Sequence, residues 1–184
     1  TTGQQNIAVG GGALATNTTG RDNVAVGSYA LSFGNDNNYN VAIGSNALTS
    51  NSTGDNNTAV GYYSSGINSS GYNNTSIGYK SSYANYSGHD NSSIGNLAME
   101  STSSGHYNTG IGSSALNNNT SGYSNTAIGM QAVFNNITSD GNTGVGLQAL
   151  YASTGGFNTA MGYAASGTGS YTHAIGVGAT VSNT

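Results

Sequence analysis

The chain of 184 residues carries few side chains that could do acid, base or metal chemistry. It has six acids, three histidines, two fixed cations (Arg21 and Lys80) and no cysteine. The acids are spread along the sequence without a convincing acid/base pair, and the histidines offer no partner for a nucleophile. Gly10-Gly11-Gly12 resembles a phosphate loop only in its glycines, because the lysine and the strand-to-helix context are missing. We therefore predict a protein that is not an enzyme and needs no cofactor.

Two histidines are the only candidates for a metal site, and they are weak ones. His89 and His106 are 17 residues apart, and Asp90 follows the first of them. Two ligands in loops are too few for a stable site. We predict stacked surface imidazoles and no bound metal.

Tyrosine is the more informative signal for binding. The chain has 13 Tyr, three Phe and no Trp. A Tyr ring is apolar with a polar tip, which suits contact with sugar rings and their hydroxyls. The alternative is that these tyrosines only pack over a weakened core or between chains. The candidate ligand-binding residues are Tyr62, Tyr63, Tyr72, Tyr79, Tyr83 and Tyr86.

The elements that position these residues follow from a repeat. An Asn-Xaa-small-aliphatic-Gly motif recurs with its Asn at 6, 23, 40, 57, 74, 91, 108, 125 and 142, in steps of 17. The next step, to Asn158, is 16, and the step to Thr172 is 14. A constant period indicates a solenoid of stacked coils. It also argues against the disordered linker that the polar composition alone would allow.

Within one coil, we predict a strand at the motif and a second short strand later in the coil. Side chains alternate across a strand, so the aliphatic residue and the small residue before it face opposite sides. We expect the aliphatic residue to face the core and the small residue to face outward. The motif Gly forms a corner, and the motif Asn stacks into a hydrogen-bonded ladder. Glycine, Asn and Ser interrupt every stretch, so we expect no helix.

A single solenoid of this kind has little apolar material to bury. Each coil offers about two sizeable aliphatic side chains, whereas ordering its backbone costs entropy at every residue. The small-residue face suits tight contact with a second copy, so we predict a parallel homotrimer. The alternative is a monomer whose small residues pack internally.

Charge excludes some partners. Two cations against six acids cannot neutralise a phosphate backbone, which excludes a nucleic-acid binder. No apolar run is long enough to span a bilayer, and no signal peptide is visible at Thr1. The sequence opens within a repeat, so we expect a segment of a longer protein.

The motif, as in Asn40-Val41-Ala42-Ile43-Gly44 and Asn158-Thr159-Ala160-Met161-Gly162, resembles the head repeats of trimeric autotransporter adhesins and related repeats of phage tail fibres. The resemblance covers nearly the whole chain. It implies an all-β fold, a left-handed parallel β-roll, three chains per head, and display outside the cell or virion. The 17-residue period is longer than the familiar adhesin repeat and is similar to repeats of fibre proteins with a self-cleaving chaperone domain. Residues 1–157 carry the 17-residue repeat, and residues 158–184 continue it with a shorter one.

Three functions remain open at this point. The first is a non-enzymatic extracellular fibre or adhesin shaft that attaches to a surface, with glycan as a possible ligand. The second is a passive spacer in a tail fibre or cell-surface filament. The third, a remote one, is an ice-binding solenoid that uses Thr109, Thr126, Thr143 and Thr159. We expect those threonines to face inward with the aliphatic residues, which disfavours it.

Overall fold

A computed structural model describes residues 3–183. Thr1 and Thr2, at the start of the predicted segment 1–157, and Thr184, at the end of the predicted segment 158–184, lie outside the described residues. Throughout residues 3–183 the only regular elements are strands, which form a parallel β-solenoid. This confirms the predicted all-β class, the coil period and the expected lack of helices in that part of the chain. The strands are Ile7–Val9 (β1), Val24–Val26 (β2), Val41–Ile43 (β3), Thr58–Val60 (β4), Thr75–Ile77 (β5), Ser92–Ile94 (β6), Thr109–Ile111 (β7), Thr126–Ile128 (β8), Thr143–Val145 (β9), Thr159–Met161 (β10), Ser166–Thr168 (β11), His173–Ile175 (β12) and Thr180–Ser182 (β13).

One strand per coil builds a single long sheet. Strands β1 to β10 pair in sequence order, and β12 pairs with β10, to give eleven parallel strands. Each strand aligns with the next at the same motif position, as Thr109 does with Thr126. The pairing of Thr159 with His173 continues the sheet across the shortened step. The predicted boundary at residue 158 therefore lies within one continuous sheet, between a coil of 16 residues and one of 14.

The predicted second strand is absent from the 17-residue coils within residues 3–183. There the segment after the motif Gly is a turn, because residues such as Ser114 (φ 55°) and Leu116 (φ 50°) adopt the left-handed conformation, which an extended strand excludes. The segment still bonds between coils, and the Leu116 amide donates to the Ala132 carbonyl at 3.0 Å. A second strand forms only in the shorter coils, where β11 pairs with β13.

The two faces of the long sheet are the reverse of the prediction. Ala127 is fully buried, whereas its neighbour Ile128 is 39% exposed. The small residues therefore line the core, and the aliphatic residues point away from it. We name the latter the aliphatic column: Val9, Val26, Ile43, Val60, Ile77, Ile94, Ile111, Ile128, Val145, Met161 and Ile175.

The reason for the reversal is the width of the coil. The core sides of β7 and β9 pack against a large residue from the turn of the preceding coil. A Cβ added to Gly110 would lie 2.8 Å from Met99 Cγ, and one added to Gly144 would lie 2.6 Å from Val133 Cγ2. Where even a methyl group is crowded, an isoleucine has no room.

The core consists of two apolar clusters with a polar stretch between them. The first cluster runs to Ala59 and the second begins at Met99. Between them the buried residues include serines that hydrogen-bond to one another: Ser64, Ser65, Ser76, Ser81, Ser82 and Ser93. The loss of leucine at Ser65 and Ser82 thus does not leave these positions open to solvent.

Asparagine ladders join the coils, as predicted for the motif Asn. The Asn125 backbone amide donates to Asn108 Oδ1 at 3.0 Å, and Asn108 Nδ2 donates to the Gly122 carbonyl at 2.8 Å. The corner role of the motif Gly is also confirmed. Gly112 has φ +131°, and a Cβ there would lie 2.6 Å from the Gly129 carbonyl.

A second ladder, which we did not predict, lies eleven residues after the motif Asn. Its asparagines are buried apart from the half-buried Asn17, and Asn85 Nδ2 donates to Asn68 Oδ1 at 3.0 Å. Each amide also donates to the carbonyl three residues ahead, as Asn85 does to Gly88. We name it the inner ladder; its asparagines are Asn17, Asn51, Asn68, Asn85, Asn119 and Asn136.

Candidate functional site

The outward side of the long sheet is a continuous apolar stripe formed by the aliphatic column. Its five isoleucines from β3 to β8 are 36–40% exposed: Ile43, Ile77, Ile94, Ile111 and Ile128. With neighbouring strands about 4.8 Å apart, eleven strands extend the stripe over about 50 Å. An exposed apolar patch of this length is typical of a contact surface.

The threonine column lies on the same side of the sheet. Thr109, Thr126, Thr143 and Thr159 are aligned in neighbouring strands, and all are partly exposed. The prediction that they point inward is wrong, because the aliphatic residues beside them also point outward. We call the threonine and aliphatic columns together the outward face.

The predicted tyrosine site is one compact cluster with two members elsewhere. The rings of Tyr62 and Tyr79 stack with their centroids 5.9 Å apart. Tyr63 meets Tyr62 edge-on at 4.6 Å and Tyr83 at 5.7 Å. Tyr62 and Tyr79 are 48% and 44% exposed. Their aromatic faces are turned toward each other, so at that contact they present ring edges to solvent.

A cation lies within this cluster, and the tyrosine pattern alone did not identify it. Lys80 Nζ is 5.7 Å from the centroid of Tyr79 and 5.2 Å from that of Tyr83. Both distances are within the range of a cation–π interaction. We name Tyr62, Tyr63, Tyr79, Lys80 and Tyr83 the tyrosine–lysine cluster.

Tyr72 belongs to a second aromatic group. Its ring stacks on His89 at 4.7 Å, His89 on His106 at 4.7 Å, and His106 on Tyr123 at 5.5 Å. Tyr107 meets both imidazoles edge-on. The prediction of stacked imidazoles is confirmed. Tyr86 is 49% exposed and lies outside both groups.

Asp90 holds one end of this histidine pair. Its Oδ2 is 2.8 Å from His89 Nδ1, and its Oδ1 accepts a hydrogen bond from Asn73 Nδ2 at 3.1 Å. Both hydrogen bonds lower the pKa of the Asp90 carboxyl, and the bond with His89 has the larger effect. Within residues 3–183 no group of three or more His, Cys, Asp or Glu is arranged to hold a metal ion.

Sequence reasoning could have found the complete histidine stack from the repeat. Tyr72, His89, His106 and Tyr123 all lie two residues before a motif Asn, so the constant step places them in one row. Tyr107 and Lys80 carry no such signal, because their contacts depend on the side-chain directions within the turns.

Comparisons with family models, curated proteins and solved structures find no match to this chain. The resemblance to adhesin and tail-fibre repeats therefore rests on the motif residues. In the described part of the chain there is no helix with the length and apolarity needed to cross a membrane.

Proposed function

We propose that this chain is a non-enzymatic extracellular shaft, made of three parallel left-handed β-rolls, that attaches a cell or virion to a surface. The observation that supports it is the apolar stripe on the outward face. An exposed stripe of this kind needs a partner to exclude water, and the partner we propose is a second and third copy of the same chain.

A copy of this chain fits the outward face better than an unrelated protein does. The stripe repeats at every strand, so a parallel copy carries the same repeat and keeps its side chains in register along the whole length. Closed symmetry about one axis gives each chain the same two contacts and leaves no stripe unpaired. The outward face thus replaces the small-residue face as the proposed interface.

Attachment is assigned to the exposed aromatic residues of the turns. The tyrosine–lysine cluster offers ring edges and hydroxyls near a cation, which suits a hydroxyl-rich ligand such as a glycan. Three copies per shaft, and many shafts per particle, turn a weak contact into strong adhesion.

Adhesion measured on a carrier tests this function against the passive spacer. Beads that display the segment are expected to adhere to glycan-coated surfaces. A variant with Tyr62→Ser and Tyr63→Asn is expected to lose that adhesion. Ser45 and Asn46 hold these two positions one coil earlier, so the coil tolerates the exchange. Equal adhesion of the variant, or none by either protein, contradicts the attachment function and favours the spacer.

The outward threonines favour ice binding as a second candidate. Aligned threonine and aliphatic columns form a regular face whose side chains reach solvent. Thermal hysteresis separates the two proposals, because an ice-binding face must be free in a single chain, whereas the proposed shaft buries it. A monomeric chain that lowers the freezing point of its solution without changing the melting point contradicts the shaft.

A further inference from the structure

We propose that the tyrosine–lysine cluster binds an acidic saccharide, and that the Lys80 ammonium receives the carboxylate or sulfate of one sugar unit. This inference rests on the proposed attachment function and specifies its ligand.

The charge of Lys80 is available to a ligand. Within residues 3–183 no carboxylate is within 4.0 Å of its ammonium, whereas the other fixed cation, Arg21, reaches Asp22 at 4.0 Å. The rings of Tyr79 and Tyr83 attract the ammonium without neutralising it. In a chain with a net charge of −4, this is a local positive site.

The tyrosine hydroxyls of the cluster are also available. In the described residues no side-chain hydrogen bond involves a hydroxyl of Tyr62, Tyr63, Tyr79 or Tyr83. Each phenol can donate one hydrogen bond and accept others. Four phenol hydroxyls and one cation within a single cluster suit a sugar that carries several hydroxyls and one negative charge.

The position of the cluster agrees with a rigid recognition site. Gly66 is buried beneath it, and a Cβ there would lie 2.9 Å from Tyr83 Cε2 and 3.0 Å from Tyr63 Cδ1. The two rings therefore close over the backbone and have little freedom to collapse. A single cation also disfavours nucleic acid, which needs many phosphate contacts.

Calorimetric titration of the intact protein with three polysaccharides tests this inference. The probes are polygalacturonate for carboxylate, dextran sulfate for sulfate, and dextran as the neutral control. We expect one of the two acidic polymers to bind and dextran to bind at least about tenfold more weakly, because the charge-assisted hydrogen bond is lost. The acidic polymer that binds identifies the source of the negative charge.

The test variant is Lys80→Gln, since Gln131 and Gln148 hold the same coil position with φ 55° and 58°. It is expected to weaken acidic-polymer binding about tenfold, through loss of the same charge-assisted contact, while the thermal unfolding midpoint is unchanged. Arg21→Gln, which removes one positive charge elsewhere, is the matched control and is expected to bind normally.

Unchanged binding in Lys80→Gln, or equal loss in Arg21→Gln, overturns the acidic-saccharide assignment. Binding of dextran as strong as that of both acidic polymers overturns it as well, yet leaves glycan attachment standing. The two claims are also separated if the Tyr62→Ser and Tyr63→Asn variant loses bead adhesion while Lys80→Gln binds normally. In that case the attachment function stands and the acidic-saccharide assignment fails.

Discussion

Asn85 and Thr102 occupy the same position in neighbouring coils, and the inner ladder breaks between them. Both side chains are buried. Asn85 Oδ1 and Thr102 Oγ1 have no hydrogen-bond partner, whereas one coil earlier Asn68 Oδ1 accepts from Asn85 Nδ2. A buried polar atom without a partner destabilises the fold.

The first prediction is that Thr102→Asn repairs the ladder. The new amide can donate to Asn85 Oδ1 and to the Gly105 carbonyl, as Asn119 Nδ2 does to Gly122 at 2.9 Å. We expect the free energy of unfolding to rise by about 1 kcal/mol, measured by chemical denaturation. Thr102→Ala is the control, because it removes the orphan hydroxyl and leaves Asn85 Oδ1 unpaired. If the two variants are equally stable, ladder repair contributes nothing.

The second prediction concerns an exchange of Asn and Gly in one coil. Five of the six inner-ladder asparagines precede a Gly by three residues, as in Asn51 and Gly54, but in this coil the order is Gly34 and Asn37. Asn17 Oδ1 and Asn37 Oδ1 are left without partners. A Cβ on Gly34 would clash with Asn37 Nδ2 and with the Asn51 carbonyl oxygen. Gly34→Asn alone is therefore expected to destabilise the fold.

Adding Asn37→Gly removes the clash with the Asn37 side chain and restores the usual order, but the Asn51 carbonyl must still move away from the new Cβ. We expect the double variant to be more stable than Gly34→Asn alone, with a favourable coupling energy of about 1–3 kcal/mol in a double-mutant cycle. Additive effects of the two changes would contradict this account of the inner ladder.

The third prediction concerns the serine stretch of the core. Ser65 Oγ donates to Ser76 Oγ at 2.8 Å, at the place where other coils put Leu against Ala. Ser65→Leu alone deprives Ser76 of this contact. Ser65→Leu with Ser76→Ala recreates the apolar pattern, and we expect it to raise the free energy of unfolding by about 1–3 kcal/mol through leucine burial. A single variant as stable as the double one would show that the serine bonds are unimportant.

The fourth prediction is that Asp90 makes the stability of the folded state depend on pH. Its carboxyl has a pKa below the usual 3.8 in the folded state, because His89 and Asn73 hydrogen-bond to it. The lowered pKa stabilises the folded state above about pH 3.8, and this contribution is lost as the pH falls through the folded-state pKa. We expect the unfolding midpoint of Asp90→Asn to lie below that of the parent at pH 6 and to approach it at pH 2.5.

Asn is a suitable replacement for Asp90, since Asn73 holds the same coil position with φ 55°. A constant difference between the two midpoints from pH 6 to pH 2.5 would show that the carboxylate bonds do not stabilise the fold.

The coil architecture could be predicted from the sequence because its signals are local and repeated. A step of 17 residues sets the coil, and the motif Asn and Gly have roles that depend only on neighbouring coils. The side of the strand that faces the core could not be predicted in this way, because it depends on side chains outside the strand. Met99 and Val133 occupy the space on the core side of the strands, and the residues of the strand itself do not indicate this.

The candidate site, too, could be predicted from the sequence only in part. The histidine row follows from the period alone. The tyrosine–lysine cluster depends on left-handed residues such as Tyr63 (φ 54°) and Lys80 (φ 48°), which direct adjacent side chains in ways that strand alternation does not describe.

The outward face gives the fifth prediction. Ile111→Asp places a charge in the aliphatic column, where we propose that another chain packs. The change leaves the core of the coil intact, because Ile111 points away from it and is 36% exposed. Ser113→Asp, at an exposed position two residues on, is the matched control. Circular dichroism is expected to show β-structure in both variants, and only Ile111→Asp is expected to weaken self-association.

Sedimentation equilibrium of the intact chain is the most direct test of the proposed assembly. We expect a particle three times the 18.3 kDa chain mass, reduced to that of one chain by Ile111→Asp and unaffected by Ser113→Asp. A parent protein that sediments as a folded single chain at all concentrations would contradict it.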